Sequence, residues 1–224
     1  MNLITPPWGQ TVHRLVPSHF PPISLFEDVA DEADFEILYA VESLTNDRLL
    51  DELGDITLVE PGEKLLSAGS TPVMAAFTHI GKASRFTSGA FGVYYGGSSL
   101  DVAIAETRHH RELFLASTRE PDTEITMRQY INSVIAPIAD IRGSDFDGLH
   151  LPDSYDASQS FAAQQRHAGI NGLLYRSVRL EGGECAAVFK PKALTPTTQG
   201  CHLRYVWNGK SQSITHVLEV TQRP

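Results

Sequence analysis

Cysteine is nearly absent from this chain: 224 residues contain two, Cys185 and Cys201. Two cysteines at that spacing build neither a disulfide framework nor a zinc motif, and such sparing use suggests a reducing compartment. Long apolar runs are missing, so no segment reads as a membrane-spanning helix. Met1 to Pro7 lack the basic start and apolar stretch of a signal peptide, and the expected location is the cytoplasm. Basic excess is missing as well. Eighteen Lys and Arg against 27 Asp and Glu give a net charge of −9, which argues against direct nucleic-acid binding. A small anionic ligand remains compatible, because one or two arginines hold a diphosphate on an acidic protein. There is no internal repeat, low-complexity segment or charge block. The patterns G-x-G-x-x-G and H-E-x-x-H are absent, which excludes the glycine fingerprint of dinucleotide-binding folds and the zincin helix.

What is present reads as one folded domain over 1–224, with 42% hydrophobic and 20% charged residues. Early prolines leave room for a short strand over 12–16. Ser24 and Glu27 suit a capping box. The helical pattern from there to Leu53 carries an apolar stripe of Leu38, Val41, Leu44 and Leu49, and Gly54 is a natural stop. Residues 55–70 read as a loop, with strands at 72–79 and 89–95. Ser98 with Asp101 opens a helix to about Ala116. A strand lies within 127–141, a turn-rich stretch follows at 143–155, and a helix spans 157–168 with Gly169 as its stop. Strands at 172–178 and 185–190 join across Gly182-Gly183. Residues 203–207 and 213–220 form a hairpin whose Asn208-Gly209 suits a type I′ turn. Strands and helices alternate without βαβ regularity, so the class is α+β, a mixed or antiparallel sheet core with helices around it.

Four segments carry the chemistry. They are His13-Arg14-Leu15; the run Gly92 to Leu100 continuing through Ala103-Ile104-Ala105-Glu106-Thr107; Tyr175-Arg176-Ser177-Val178; and Gly182-Gly183-Glu184-Cys185 leading to Val188-Phe189. In this order and spacing they resemble the RES domain, a family of toxins from toxin–antitoxin pairs. The resemblance spans about residues 11–209, with a helical addition at about 24–70. It implies a fold like that of ADP-ribosyltransferase toxins and NAD⁺ as substrate, without a metal. The implied partner is an Xre-type helix-turn-helix antitoxin that covers the active site. The family's arginine falls on Arg14, its tyrosine on Tyr95, its glutamate on Glu106 and its serine on Ser177. A second family arginine falls on Arg85, although Ser84-Arg85-Phe86-Thr87 departs from the family's Gly-Arg-Trp-Asn. His13 stands where many members have tyrosine.

Cleaving nicotinamide from NAD⁺ builds positive charge on the ribose, which a fixed carboxylate stabilises. Glu106 is the candidate; a solvated glutamate, or one paired with Arg108 or His110, is the plain alternative. On a helix Glu106 shares a face with Val102, Ala103, His110 and Leu113. Arg14 and Arg85 are either diphosphate ligands or surface ion-pair partners. Tyr95 is either a stacking platform or core, and Ser177 either a phosphate or ribose contact or structural. Gly96-Gly97 read as a phosphate approach or, more simply, a tight turn. His109 and His110 diverge by about 100° on a helix and make a poor metal pair. Glu184 reads as a turn residue rather than a second acid. Three functions follow: NAD⁺ hydrolysis or phosphorolysis, ADP-ribosyl transfer to an acceptor protein, and a non-catalytic partner-binding module. No convincing carboxylate pair supports a carbohydrate glycosidase.

Overall fold

The computed structural model describes residues 8–18 and 54–221, so the helical pattern expected before Leu53 lies outside the described residues. Eight strands form one sheet: β1 (Thr11–Pro17), β2 (Tyr94–Gly97), β3 (Thr123–Ser133), β4 (Ala139–Asp140), β5 (Gly172–Arg176), β6 (Glu184–Val188), β7 (Thr198–Asn208) and β8 (Ser213–Val220). Their order is β4-β5-β6-β2-β1-β3-β7-β8. Every neighbouring pair is antiparallel except β4 with β5. Among the described residues three α-helices accompany it: α1 (Thr71–Thr78), α2 (Leu100–Thr118) and α3 (Asp156–His167). The α+β class expected from the sequence is the class observed.

The sheet is two half-sheets joined at one point. β1 aligns with β3 over seven residue pairs but with β2 only at His13–Gly97. Glycine is required at this junction. A Cβ at Gly96 would lie 2.8 Å from Val12 Cβ, and one at Gly97 would lie 2.8 Å from the Ala103 backbone nitrogen. The Gly96-Gly97 pair is therefore strand, not the tight turn its composition suggested; the two residues let β1 and the start of α2 approach closely.

Alternation along the strands separates three apolar clusters. Tyr94, Val12 and Leu174 pack with Val73, Met74 and Phe77 of α1. Tyr175, Cys185 and Ala187 pack with Phe86, Val102 of α2 and Ala162 of α3. Leu15, Met127, Tyr205, Trp207 and Ile214 pack with Ala103 and Leu115 of α2. Tyr94 is fully buried, and its hydroxyl donates to Asn132 Oδ1 at 2.5 Å. Asn132 Nδ2 in turn donates to the Thr195 carbonyl and Thr197 Oγ1, so this buried polar group is satisfied.

Several local expectations are corrected. Of residues 72–79, read as a strand, 72–78 belong to helix α1 and His79 is its C-cap. Pro72 sits in its first turn, where no amide is needed, and the helix is buried nearly all round, which hides its period. The strand expected at 89–95 starts at Tyr94. The cap of α2 is Ser99, whose Oγ accepts from the Val102 amide at 3.3 Å, while the Ser98 amide donates to the Glu184 carbonyl. The β7–β8 hairpin is present, but its turn is residues 209–212 with Gln212 left-handed at φ 49°, not a two-residue type I′ turn. Asn208 Oδ1 accepts from the Ser211 amide three residues on, which ties the asparagine side chain across the turn. Residues 55–70 include two short 3₁₀ turns, and the turn-rich stretch holds a third, Ser144–Leu149.

Candidate active site

Glu106 lies two turns into α2, whose first turn is pinned to the sheet by buried Val102 and Ala103. Its Oε1 accepts a hydrogen bond from Ser177 Oγ at 2.7 Å. Ser177 follows β5, and its amide donates to the Gly183 carbonyl. The hydroxyl oxygen of Ser177 also accepts from the Arg179 and Leu180 amides, at 3.1 and 3.0 Å. Two backbone donors fill the lone pairs of that oxygen, so its single hydrogen is left for Glu106. Ser177 thus holds the carboxylate as an acceptor in one orientation. Cys185 Sγ lies 4.0 Å from the same carboxylate oxygen. Burial first, and then the charge of Glu106, push the Cys185 thiol far above its usual range, so it is a neutral neighbour and not a thiolate nucleophile.

Tyr95 is an anchor. Its hydroxyl lies 2.8 Å from Ser84 Oγ and accepts from the Phe86 amide at 3.0 Å. Burial raises its pKa to about 12, so it remains a phenol. These contacts fix the tight turn in which Ser84 and Thr87 exchange backbone hydrogen bonds, with Arg85 between them. Arg85 is 8% exposed. Its Nη1 donates to the carbonyls of Leu151 at 2.8 Å and Leu149 at 3.4 Å, and its guanidinium lies 4.8 Å over the Tyr155 ring. Ser158 Oγ donates to the Arg85 carbonyl and Gln159 Nε2 to the Ser84 carbonyl, tying the turn to α3.

Arg14 approaches from the other side of the sheet. Its guanidinium lies 4.7 Å over the ring of Tyr94, which belongs to the α1-side cluster, and Nη1 donates to the Tyr95 carbonyl at 3.3 Å. Nε of Arg14 is buried with no partner among the described residues. The structure therefore puts Glu106 against Ser177 and Tyr95 against the turn of Arg85. Arg14 reaches that strand through backbone rather than through the Tyr95 side chain. Glu184 is engaged elsewhere: Arg142 bridges it to Asp140. The His109 and His110 rings sit edge to face at 5.5 Å, and no cluster of three or more metal-ligating side chains occurs among the described residues.

Sequence reasoning passed over His150. Its Nδ1–H donates to the Phe146 carbonyl at 2.9 Å, and Nε2 accepts from the Arg176 amide at 3.3 Å, directly before Ser177. Burial, chiefly, lowers its pKa below the ordinary 6.5. No local motif marks such a histidine; only the fold brings residue 150 to residue 176. The folded protein keeps His150 neutral, whereas the unfolded chain takes up a proton near 6.5. Its contribution to stability is full above that pH and is lost as pH falls below it. Urea melts taken from about pH 7.5 to about 5.5 should show a steeper loss of stability in the wild type than in His150→Gln. Parallel profiles would show that this imidazole does not carry the effect.

Comparison with known proteins places the chain. A protein of Sinorhizobium fredii (strain NBRC 101917 / NGR234), y4oC, itself uncharacterized, is 27% identical over 216 residues, covering 92% of this chain and 87% of the relative. Among solved structures, the M. tuberculosis MbcT–MbcA toxin–antitoxin complex contains a chain that aligns with a TM-score of 0.49 and 10% identity. That alignment covers 93% of this chain and 90% of the other, and it is too loose to bear on function. The family model for the RES domain matches residues 64–208, more than half the chain; it includes Arg85, Tyr95, Glu106 and Ser177 and stops short of Arg14. The chain belongs to the RES domain family.

Proposed function

We propose that this protein consumes NAD⁺ by breaking the bond between nicotinamide and ribose. The observation that carries the reading is the Glu106 carboxylate, held by Ser177 in a single orientation and 4.0 Å from Cys185, whose cluster Tyr95 also packs against. In the reaction the C1′–N bond breaks and its electron pair leaves with nicotinamide, which becomes neutral. The ribose acquires oxocarbenium character, and the fixed negative charge of Glu106 stabilises it. The leaving group is already cationic, so the step calls for no metal to activate it. An oxygen of water, phosphate or an acceptor protein then bonds C1′ and loses its proton. Arg14 stands on the Tyr94 side of the sheet, so in this reading it braces β2 through the Tyr95 carbonyl rather than meeting the diphosphate directly. Arg85 adds positive charge and fixes the wall of the site. Tyr95 presents its ring while its hydroxyl stays tied to the Ser84–Phe86 turn.

The resemblance extends the proposal to a toxin that arrests growth by depleting NAD⁺, with an Xre-type antitoxin as its partner. Hydrolysis or phosphorolysis is the primary reading; ADP-ribosyl transfer to a protein begins with the same bond. Purified protein incubated with NAD⁺, with and without phosphate, should release nicotinamide together with ADP-ribose or its 1-phosphate. Label from adenine appearing on a protein band would identify transfer instead. A folded, partner-free sample that releases no nicotinamide under any of these conditions would sink the proposal.

Ser177→Ala tests the positioning role. The carboxylate charge remains but loses its fixed orientation, and two amides lose their acceptor. Turnover should fall by about tenfold, with about 1–2 kcal/mol of stability lost. Ser177→Thr, which keeps the hydroxyl, should recover most of the turnover. Failure of threonine to rescue a stably folded protein would count against orientation as the role of the hydroxyl.

A further inference from the structure

The negative charge of the chain is unevenly placed. Residues 19–53 hold ten of the 27 acidic side chains and, of the 18 basic ones, only Arg48. That segment therefore carries the whole net charge of −9, and the other residues balance at seventeen of each sign. Its carboxylates are interleaved with apolar side chains such as Leu38, Val41, Leu44 and Leu49 rather than gathered in a run. The segment precedes the residues matched by the family model, 64–208. Acidic and apolar side chains so mixed are complementary to a basic surface with apolar gaps.

The sheet offers one. Strand pairing places Arg14, Tyr130, Arg128, His202 and Arg204 on one face of β1, β3 and β7, with Val16 and Leu218 beside them. The acidic side chain that these strands and β8 add to that face is Glu124, which lies 3.4 Å from Arg204. The other face of the same strands is packed by α2. On the Arg14 face the described helices stop at α1, which packs near Val12 and Tyr94. An antiparallel sheet can leave one face to water, but two observations argue against that here. Tyr130 is only 3% exposed, and Arg14 Nε is buried with no partner among the described residues. A buried donor of this kind calls for an acceptor.

The path of the chain supplies the occupant. The Ser18 amide donates to the Thr126 carbonyl, so the segment leaves alongside β3. It returns at Asp55, whose amide donates to the Thr78 carbonyl at the end of α1. Helix α1 stands on the same side of the sheet as Arg14, since both pack against Tyr94. Thirty-five residues join these two points.

We propose that the face carrying Arg14, Arg128, His202 and Arg204 is the docking surface of residues 19–53 of the same chain. The carboxylates of that segment meet the arginines and supply the acceptor that Arg14 Nε lacks, and its apolar side chains meet Val16 and Leu218. The inference does not depend on the reaction at Glu106. It is tested on the full chain by zero-length carbodiimide coupling of carboxylates to amines, followed by peptide mapping. Lys190, 3.5 Å from Glu63, is the internal positive control. Arg128→Lys and, separately, Thr126→Lys put an amine on the proposed surface, whereas Glu219→Lys puts one on the opposite face of β8. The first two amines should couple to acidic residues of 19–53 within one chain, in a yield comparable to the control and several-fold above that from Glu219→Lys. Thermal melts identify the variants that fold; Thr126 is exposed, so its replacement decides the matter if Arg128→Lys does not fold. Coupling of Lys190 without coupling of the new amines to 19–53, equal yields from the two faces, or links between separate chains would each overturn the proposal.

Discussion

Glu106→Gln should lower nicotinamide release by about 10²–10³-fold, the scale seen when one group stabilising transition-state charge is removed. Glutamine keeps the shape of glutamate, and its carbonyl oxygen can still accept from Ser177 Oγ. What disappears is the charge. A carboxylate about 4 Å from a developing cation interacts at roughly 4 kcal/mol for an effective dielectric near 20, enough to account for the loss. Stability should change by only about 1 kcal/mol, because the side chain is half-buried and keeps its partner. The two readouts, initial rate of nicotinamide release and urea midpoint, must separate in this way. A variant that is fully active, or one whose inactivity tracks unfolding, removes Glu106 from the chemistry.

Gly97→Val should be the most damaging single substitution for the fold and the site together. The new Cβ would lie 2.8 Å from the Ala103 nitrogen and 2.9 Å from Val102 Cγ1, both in the opening of α2. Backbone cannot yield there as a flexible side chain would, so the helix carrying Glu106 must shift. The cost is about 3 kcal/mol, the upper end for overpacking, or about 10 °C in Tm for a chain of this length. Gly148→Ala, which meets nothing within 4 Å and has an ordinary φ, is the matched control and should be close to neutral. Residual folded Gly97→Val should also turn over NAD⁺ more slowly than its folded fraction accounts for. A variant that melts with the wild type would show that β2 and α2 have slack at this contact.

The strands at 172–176 and 184–188 and the helices α2 and α3 were legible in the sequence, because glycine stops and a polar cap bracket clear patterns. Helix α1 was not: Pro-Val-Met-Ala-Ala-Phe is apolar on every side, so period gives no vote between strand and helix. The glycines at 96 and 97 misled for a related reason. Composition says that glycine bends freely, whereas here the absent Cβ makes room for neighbours. Among site residues, the family resemblance pointed to Glu106 and Ser177 separately, while their hydrogen bond, which joins positions 71 apart, appears only in the fold. Spacing alone gives no hint of it. The tyrosine hydroxyl at 95 was the least legible part, since its role depends on a turn ten residues upstream that only the folded chain brings beneath it. Arg14 and Arg85 were equally plausible anion ligands by residue type. Only their surroundings distinguish them, with one engaged by two carbonyls and the other carrying an unmatched donor.

The hydroxyl that orients Glu106 is synthesised 71 residues after it, and β2 needs β6 as its neighbour on the side away from β1. A chain still on the ribosome therefore holds its acidic group without its orienting partner until residues 177–188 have emerged. Such distant pairings also close slowly once they can form. On the proposed function, translation itself delays the onset of turnover until that stretch has emerged.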